Sequence, residues 1–190
     1  MKILSATGYF LAIAGFLGAI ALHPLQAVEL SDGTIHFVRP PSLLDSTTTT
    51  NTVLARSTYY FTIAVPETAG EPLERIQVDQ QNGENFTRRV EFETDESEAF
   101  IGTFRDRGTE IPIRETQYDP ETQSVAVVFA EPVPPGTVVT IALRPERNPR
   151  QDGVYLFGVT AFPPGERGQG QFLGYGRFHF YRSDSPFLFR

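Results

Sequence analysis

The chain has 190 residues and a formal net charge of −7 at pH 7, which is enough length for one domain with a packed core. It contains no cysteine, which excludes disulfides, thiolate metal sites and a cysteine nucleophile. The acidic balance argues against a nucleic-acid partner, because neutralisation of phosphates by basic groups supplies most of that affinity.

The N-terminal segment, residues 1–27, has the order of parts of a secretory signal peptide. Lys2 gives a positive start, residues 9–22 form an uncharged apolar run, and His23-Pro24 then breaks the helix. We therefore predict a signal helix that is cleaved after Ala27, and a single mature domain over residues 28–190 without a membrane span. The predicted location is the periplasm or the cell exterior. The alternative is an uncleaved anchor, although the run is shorter than the roughly 20 residues of a spanning helix.

After the leader, apolar and polar residues alternate with the period of two that is typical of β-strands. The predicted strands are residues 35–38, 59–65, 125–129, 139–143, 155–159 and 178–180, with weaker candidates at 73–78 and 86–92. The polar run at residues 46–52 is predicted to be a loop, and residues 94–99 a short turn. No segment after the leader has a helical period.

Turn residues separate these strands. Pro134-Pro135-Gly136 suits a tight turn, and Asp119-Pro120 and Asp152-Gly153 are similar breaks. Glycines 165, 168 and 170 are predicted to form a flexible loop, and glycines 174 and 176 to allow close packing or a bulge in the last strand. Many short strands divided by turns predict an all-β sandwich or barrel.

One local pattern favours the sandwich. Tyr155 stands near the start of a predicted strand, and Phe157 follows where antibody domains place a cysteine. This resembles the tyrosine corner, in which the hydroxyl bonds back to the upstream backbone. The alternative is an ordinary tyrosine on a strand face. We predict an all-β, immunoglobulin-like β-sandwich with Greek-key connections.

Several segments spread over the mature chain carry a family resemblance. They are Tyr60-Phe61-Thr62-Ile63, Val65-Pro66, Ala69-Gly70-Glu71-Pro72-Leu73, Phe104, Pro132-Val133-Pro134-Pro135-Gly136, Val139-Thr140-Ile141, Arg147-Asn148-Pro149, Gly153-Val154-Tyr155-Leu156-Phe157-Gly158-Val159 and Gly174-Tyr175-Gly176-Arg177. Together they resemble a cyanobacterial family of exported proteins of unknown function, the DUF2808 family. The resemblance implies an envelope or extracellular location, and it supplies no activity and no functional residues.

A looser similarity connects the chain to periplasmic copper-resistance domains, which bind copper through histidines. It is confined to the Pro-Gly turn, the strand after it, and Asp152-Gly153 with its strand. His36 and His179, with Asp32 or Asp184, are the candidate ligands, but the sequence indicates no complete ligand set. We predict no metal and no cofactor, with a periplasmic copper carrier as the alternative.

Catalytic patterns are weak. No serine lies in a Gly-x-Ser-x-Gly motif. The carboxylates between Glu91 and Glu98 could supply a glycosidase pair, but charged blocks are usually exposed faces. We predict that the protein is not an enzyme, with an envelope hydrolase as the second alternative.

The densest basic patch is Arg144, Arg147 and Arg150, within residues 144–152, which contain two prolines and are predicted to be a loop between strands. Arginine suits carboxylates and phosphates, and loops on sandwiches often carry binding residues. We therefore predict a binding or structural module of the cell envelope whose partner is a protein or an anionic glycan or lipid. The alternative is that these arginines pair with Glu146, Asp152 and neighbouring acidic residues.

Overall fold

The computed structural model describes residues 28–29, 33–81 and 88–182. The strands in this part are β1 Val28–Glu29, β2 Ile35–His36, β3 Ser42–Thr48, β4 Tyr59–Ala64, β5 Leu73–Gln81, β6 Phe92–Thr103, β7 Asp106–Glu110, β8 Ile113–Asp119, β9 Ser124–Val133, β10 Val138–Pro145, β11 Gly153–Phe162 and β12 Gln171–Phe180. The predicted signal helix and its cleavage site lie outside the described residues. Within the described ranges, no helix has the length and apolar character needed to cross a membrane.

Two five-stranded antiparallel sheets make up the body of the fold. The first sheet has the order β3-β4-β10-β6-β7, and the second sheet has the order β12-β11-β5-β9-β8. The chain passes from the first sheet to the second between β4 and β5, and again between β10 and β11. The β4–β10 and β5–β11 pairs correspond to the B–E and C–F pairs of an immunoglobulin domain. The predicted immunoglobulin-like, Greek-key sandwich is confirmed.

Aromatic rings fill the space between the two sheets. In antibody domains a disulfide joins strands B and F. Here Tyr59 and Phe61 of β4 contact Phe157 of β11, with ring centroids 5.6 and 6.3 Å apart. Phe178 of β12 stacks on Tyr59 at 4.8 Å. Because each such ring pair adds about 0.5–1.5 kcal/mol beyond its buried area, the cluster links the sheets where a disulfide is absent.

Two predicted backbone features are present. Gly136, in the turn between β9 and β10, has φ of 82°, and its N–H donates to the Val65 carbonyl at 2.8 Å. In β12 the pairing with β11 shifts next to Gly174, which has φ of 134°. The predicted tight turn and the predicted bulge in the last strand are both confirmed.

Several predicted boundaries are wrong. The loop assigned to residues 46–52 begins later, because β3 continues to Thr48. Threonine is β-branched and suits an edge strand. Residues 94–99 are not a turn but part of β6, where Glu98 faces solvent and Ala99 faces the core. The candidate strand at 86–92 contributes only Phe92, since residues 88–91 are irregular and 82–87 lie outside the described residues.

The polar strands β7 and β8, which lie at the edges of different sheets, were not predicted at all. All five residues of β7 are exposed, and β8 alternates between exposed and half-buried residues. Such strands lack the apolar period that identifies strands from sequence. The predicted loop at residues 144–152 also starts later than expected, because Arg144 and Pro145 still belong to β10 and pair with β6.

Candidate functional site

The loop between β10 and β11 is anchored by the tyrosine corner. The Tyr155 hydroxyl donates to the Gln151 carbonyl at 2.8 Å, and the ring is buried. This confirms the predicted corner. Burial raises the pKa of the Tyr155 phenol, and the Arg88 guanidinium, which lies 4.4 Å from the ring centroid, opposes that shift. The corner therefore fixes the end of the loop where β11 begins.

A buried asparagine fixes the same loop from the other side. The Asn148 amide nitrogen donates to the carbonyls of Thr50 and Thr52 at 3.0 and 2.8 Å, and its amide oxygen accepts a hydrogen bond from the Tyr59 hydroxyl at 3.0 Å. Its backbone N–H donates to the Ala55 carbonyl at 2.8 Å. Asn148 therefore ties the loop to the segment between β3 and β4. We did not predict this role, although a polar residue between Arg147 and Pro149 was the available signal.

The three arginines of the predicted binding loop are not brought together. Arg144 projects from β10 and forms an ion pair with Glu96 of β6. Arg147 and Arg150 instead line a cleft of about 330 Å³ at the loop end of the sandwich, and Arg89 joins them there. The predicted group must therefore be corrected: Arg144 leaves it because its strand carries it to another surface, and Arg89 enters it.

The ion pairing predicted as the alternative is found for Arg144, with an acidic residue of the adjacent strand. Arg144 pairs with Glu96 and not with Glu146, and Asp152 pairs with Arg182 at 3.2 Å. The other ion pairs among the described residues are Arg107–Glu98 and Arg114–Glu74. Neither Arg89 nor Arg147 therefore has a described carboxylate within ion-pair distance.

The cleft has a rigid floor and charged walls. Its lining residues are Leu54, Arg89, Glu91, Glu146, Arg147, Asn148, Pro149 and Arg150. Asn148 and Pro149 are buried beneath it, and the Glu146 N–H donates to the Glu91 carbonyl across one wall at 2.9 Å. Such a site presents guanidinium groups on a backbone that is already held in place.

Arg89 is the unusual member of the cleft. Its Nε is buried and has no hydrogen-bond partner among the described residues. In the described ranges, the hydrogen bond found for Arg147 Nη1 is a long one, at 3.4 Å from the Leu54 carbonyl. An unsatisfied buried donor is unfavourable, and a charge-assisted bond to an anionic oxygen would satisfy it. The geometry therefore suits a carboxylate or a phosphate.

The two histidines among the candidate metal ligands lie on different strands. His36 is on β2, with Nε2 at 3.1 Å from the Thr34 hydroxyl, and His179 is on β12 and stacks on Tyr181 at 6.4 Å. Asp32 and Asp184 lie outside the described residues. Within the described part of the chain, no three histidine or acidic side chains are grouped as a metal site would require.

The acidic run that could have supplied a catalytic pair lies mostly on β6, where several of its side chains are exposed. Glu96 pairs with Arg144, and Glu98 accepts a hydrogen bond from Arg107 at 2.7 Å. About half of each carboxylate side chain is exposed in these pairs. The two carboxylates are therefore used by neighbouring arginines on the surface of the first sheet.

The fold and the corner define an immunoglobulin-like β-sandwich, and a family comparison places the chain within one group. The family model described as "Protein of unknown function (DUF2808)" matches residues 34–180, so the chain belongs to this family. The cyanobacterial origin implied by the resemblance stays a prediction. A search of curated proteins finds no matching sequence.

Solved structures show distant likeness. The C-terminal domain of the Streptococcus pyogenes antigen I/II-family protein AspA is 14% identical, with a TM-score of 0.42, and covers 72% of this chain. The chain spans about half of that protein's chain, 46%. A collagen-binding domain from a Staphylococcus aureus adhesin is 8% identical, with a TM-score of 0.38, and the match covers 74% of this chain and 99% of that one. The human F-spondin reeler domain is 10% identical, with a TM-score of 0.40, and coverage is 75% and 93%.

Proposed function

We propose that the protein is a non-enzymatic binding module of the cell envelope that holds an anionic group in the cleft lined by Arg89, Arg147 and Arg150. The observation that carries this proposal is the buried Nε of Arg89, which has no partner among the described residues. This positively charged donor needs an acceptor, although the chain as a whole has a net charge of −7. Guanidinium groups bind carboxylates and phosphates with paired, directional hydrogen bonds.

The rigidity of the site supports a binding role. Asn148 holds the loop through four hydrogen bonds, and Tyr155 holds its end. Pro149 restricts the backbone further. A loop that is already ordered loses less conformational entropy when a ligand binds, so more of the contact energy appears as affinity.

The proposed location is the periplasm or the cell exterior. The order of parts in residues 1–27 supports export. Surfaces there present many carboxylates and phosphates, on proteins, glycans and lipids, which are the groups that arginine recognises.

The test compares the purified protein with an Arg147→Ala/Arg150→Ala variant, and with Arg144→Ala as the matched control outside the cleft. Binding to envelope fractions and to phosphatidylglycerol vesicles is measured across a salt series. We expect the parent to weaken as salt rises, the double variant to bind about tenfold or more weakly at low salt, and the control to resemble the parent. Equal binding by the parent and the folded double variant at every salt concentration would refute the proposal.

A further inference from the structure

The outer face of the second sheet carries two aromatic rings where a solvent-facing strand would ordinarily present polar side chains. Phe172 and Tyr175 of β12 are 49% and 53% exposed. Their ring centroids are 5.0 Å apart, and their planes meet at 65°. They lie on either side of the bulge next to Gly174, which brings both rings to the same place on the sheet. A paired, exposed aromatic surface of this kind marks an interaction site more often than a single exposed ring does.

A glycine on the neighbouring strand leaves room for these rings to pack on the sheet. Gly158 of β11 lies opposite Tyr175 in the sheet. A Cβ at this position would lie 3.3 Å from Phe172 Cε2, 3.5 Å from Tyr175 Cε1 and 3.6 Å from Gln81 Nε2. Two rings and one amide therefore converge over a single residue that has no side chain. Each ring therefore packs on the sheet at Gly158 and against the other ring, and about half of each residue stays exposed.

Polar side chains stand beside the rings on the next strand. Gln77, Asp79 and Gln81 of β5 alternate with buried residues and so share the outer face. Asp79 pairs with Gly158 in the sheet, and the Gln77 amide donates to the Asp79 carboxylate at 2.8 Å. β5 is two strand spacings from β12, which is about 9–10 Å. A band of amide and carboxylate groups thus runs parallel to the rings.

Charged groups of both signs stand around the rings. Arg177 of β12 faces outward, two residues after Tyr175, and is exposed. Asp79 lies on the other side of Gly158. Arg75 of β5, which lies over the Phe162 ring, is a second positive group on this face. Groups of both signs are therefore present, so the region favours no charged ligand and differs from the arginine cleft.

We propose that this surface, defined by Phe172, Tyr175, Gly158, Asp79 and Gln81, binds a neutral polysaccharide. A sugar ring has one face of C–H groups and an edge of hydroxyls. Aromatic rings carry negative charge on their faces and attract C–H groups. Planar amide and carboxylate groups donate to and accept from hydroxyls at the edge.

The test uses affinity electrophoresis of the purified protein in gels containing soluble neutral β-glucan, mannan, galactan or xylan. We expect at least one polysaccharide to retard the parent, and 1 M salt to change this little. Tyr175→Ala and Phe172→Ala should each weaken the interaction about tenfold, whereas Tyr175→Phe should retain most of it. The matched control is Tyr181→Ala, which removes another exposed ring, 56% exposed, beyond the end of the same strand.

Unfolding midpoints of all variants are measured first, so that loss of binding is read only from folded protein. Failure of the parent to bind any of the four polysaccharides overturns the proposal. So does binding that Tyr175→Ala retains in full. A gel containing an acidic polysaccharide is run in parallel. Retardation in that gel alone, lost in Arg147→Ala/Arg150→Ala, also overturns the proposal, because it would place glycan binding in the arginine cleft. Capture of a protein through these rings without glycan binding would assign the surface to a protein partner instead.

Discussion

At the residue scale, Asn148 shows how a polar side chain becomes structural when every one of its groups is satisfied. It is 2% exposed, and its amide bonds two carbonyls and one hydroxyl from segments that are distant in sequence. Buried polar groups are tolerated only with such partners. Sequence analysis identified Arg147 and Arg150 beside it but gave no reason to expect the buried neighbour to organise the loop.

Asn148→Ala should lower the free energy of unfolding by about 2–4 kcal/mol, because it removes three buried hydrogen bonds, with the Thr50 carbonyl, the Thr52 carbonyl and the Tyr59 hydroxyl. The measurement is denaturant unfolding. Tyr59→Phe is the matched control, since it removes one hydrogen bond of the set and should cost about 1 kcal/mol. Equal losses for the two variants would show that the bonds to Thr50 and Thr52 contribute nothing.

At the element scale, the strands that sequence analysis recovered are those with one buried face. β4, β10 and β11 combine alternation with large apolar side chains, and the structure places each in the middle of its sheet or beside the middle. β7 and β8 were missed because their side chains are largely exposed. Strand pairing, which depends on contacts distant in sequence, decides those edges, and local pattern does not report it.

The candidate site was predicted only in part for the same reason. Arg147 and Arg150 were identified because they are close in sequence. Arg89 joins them only because the fold brings the start of β6 next to the end of β10. The rings of Phe172 and Tyr175 become a surface only through the bulge and through Gly158 on the adjacent strand. Register between strands is not encoded in either segment alone.

Gly176 of β12 lies where the two sheets approach each other closely. A Cβ there would lie 2.7 Å from Phe61 Cε1 and 3.1 Å from Ser46 Cβ. Gly176→Ala should therefore destabilise the fold by about 1–3 kcal/mol through overpacking. In a double-mutant cycle with Phe61→Leu, thermal and denaturant unfolding should show that the second change offsets part of the first. Strictly additive losses would mean that Phe61 is not what Gly176 accommodates.

At the scale of the whole molecule, the charge composition makes the alkaline behaviour depend on tyrosine. Lys2 is the single lysine, and it lies in the predicted leader. Arginine stays protonated at any pH used in practice. Few groups other than tyrosine therefore titrate above pH 9 in residues 28–190. Burial raises the pKa of the Tyr59 phenol well above its ordinary value, and burial also raises the pKa values of Tyr118 and Tyr155.

A phenol whose pKa is higher in the folded state binds its proton more tightly there than in the unfolded chain. Stability from this source is complete below the unfolded pKa of about 10. It falls as the pH rises above that value, by up to about 1.4 kcal/mol per pH unit for each tyrosine that remains protonated in the folded state. We expect unfolding free energy to be nearly level between pH 8 and 9.5 and to decline steeply above pH 10, with Tyr59 as the main contributor.

The measurement is denaturant unfolding across this range, with phenolate absorbance followed in parallel. Tyr59→Phe should be less stable at neutral pH because it loses the bond to Asn148. The decline of its unfolding free energy above pH 10 should be shallower than that of the parent. The control Tyr175→Phe, which changes an exposed ring, should keep the parent's slope. Identical slopes in the parent and Tyr59→Phe would mean that the buried phenol does not control alkaline unfolding.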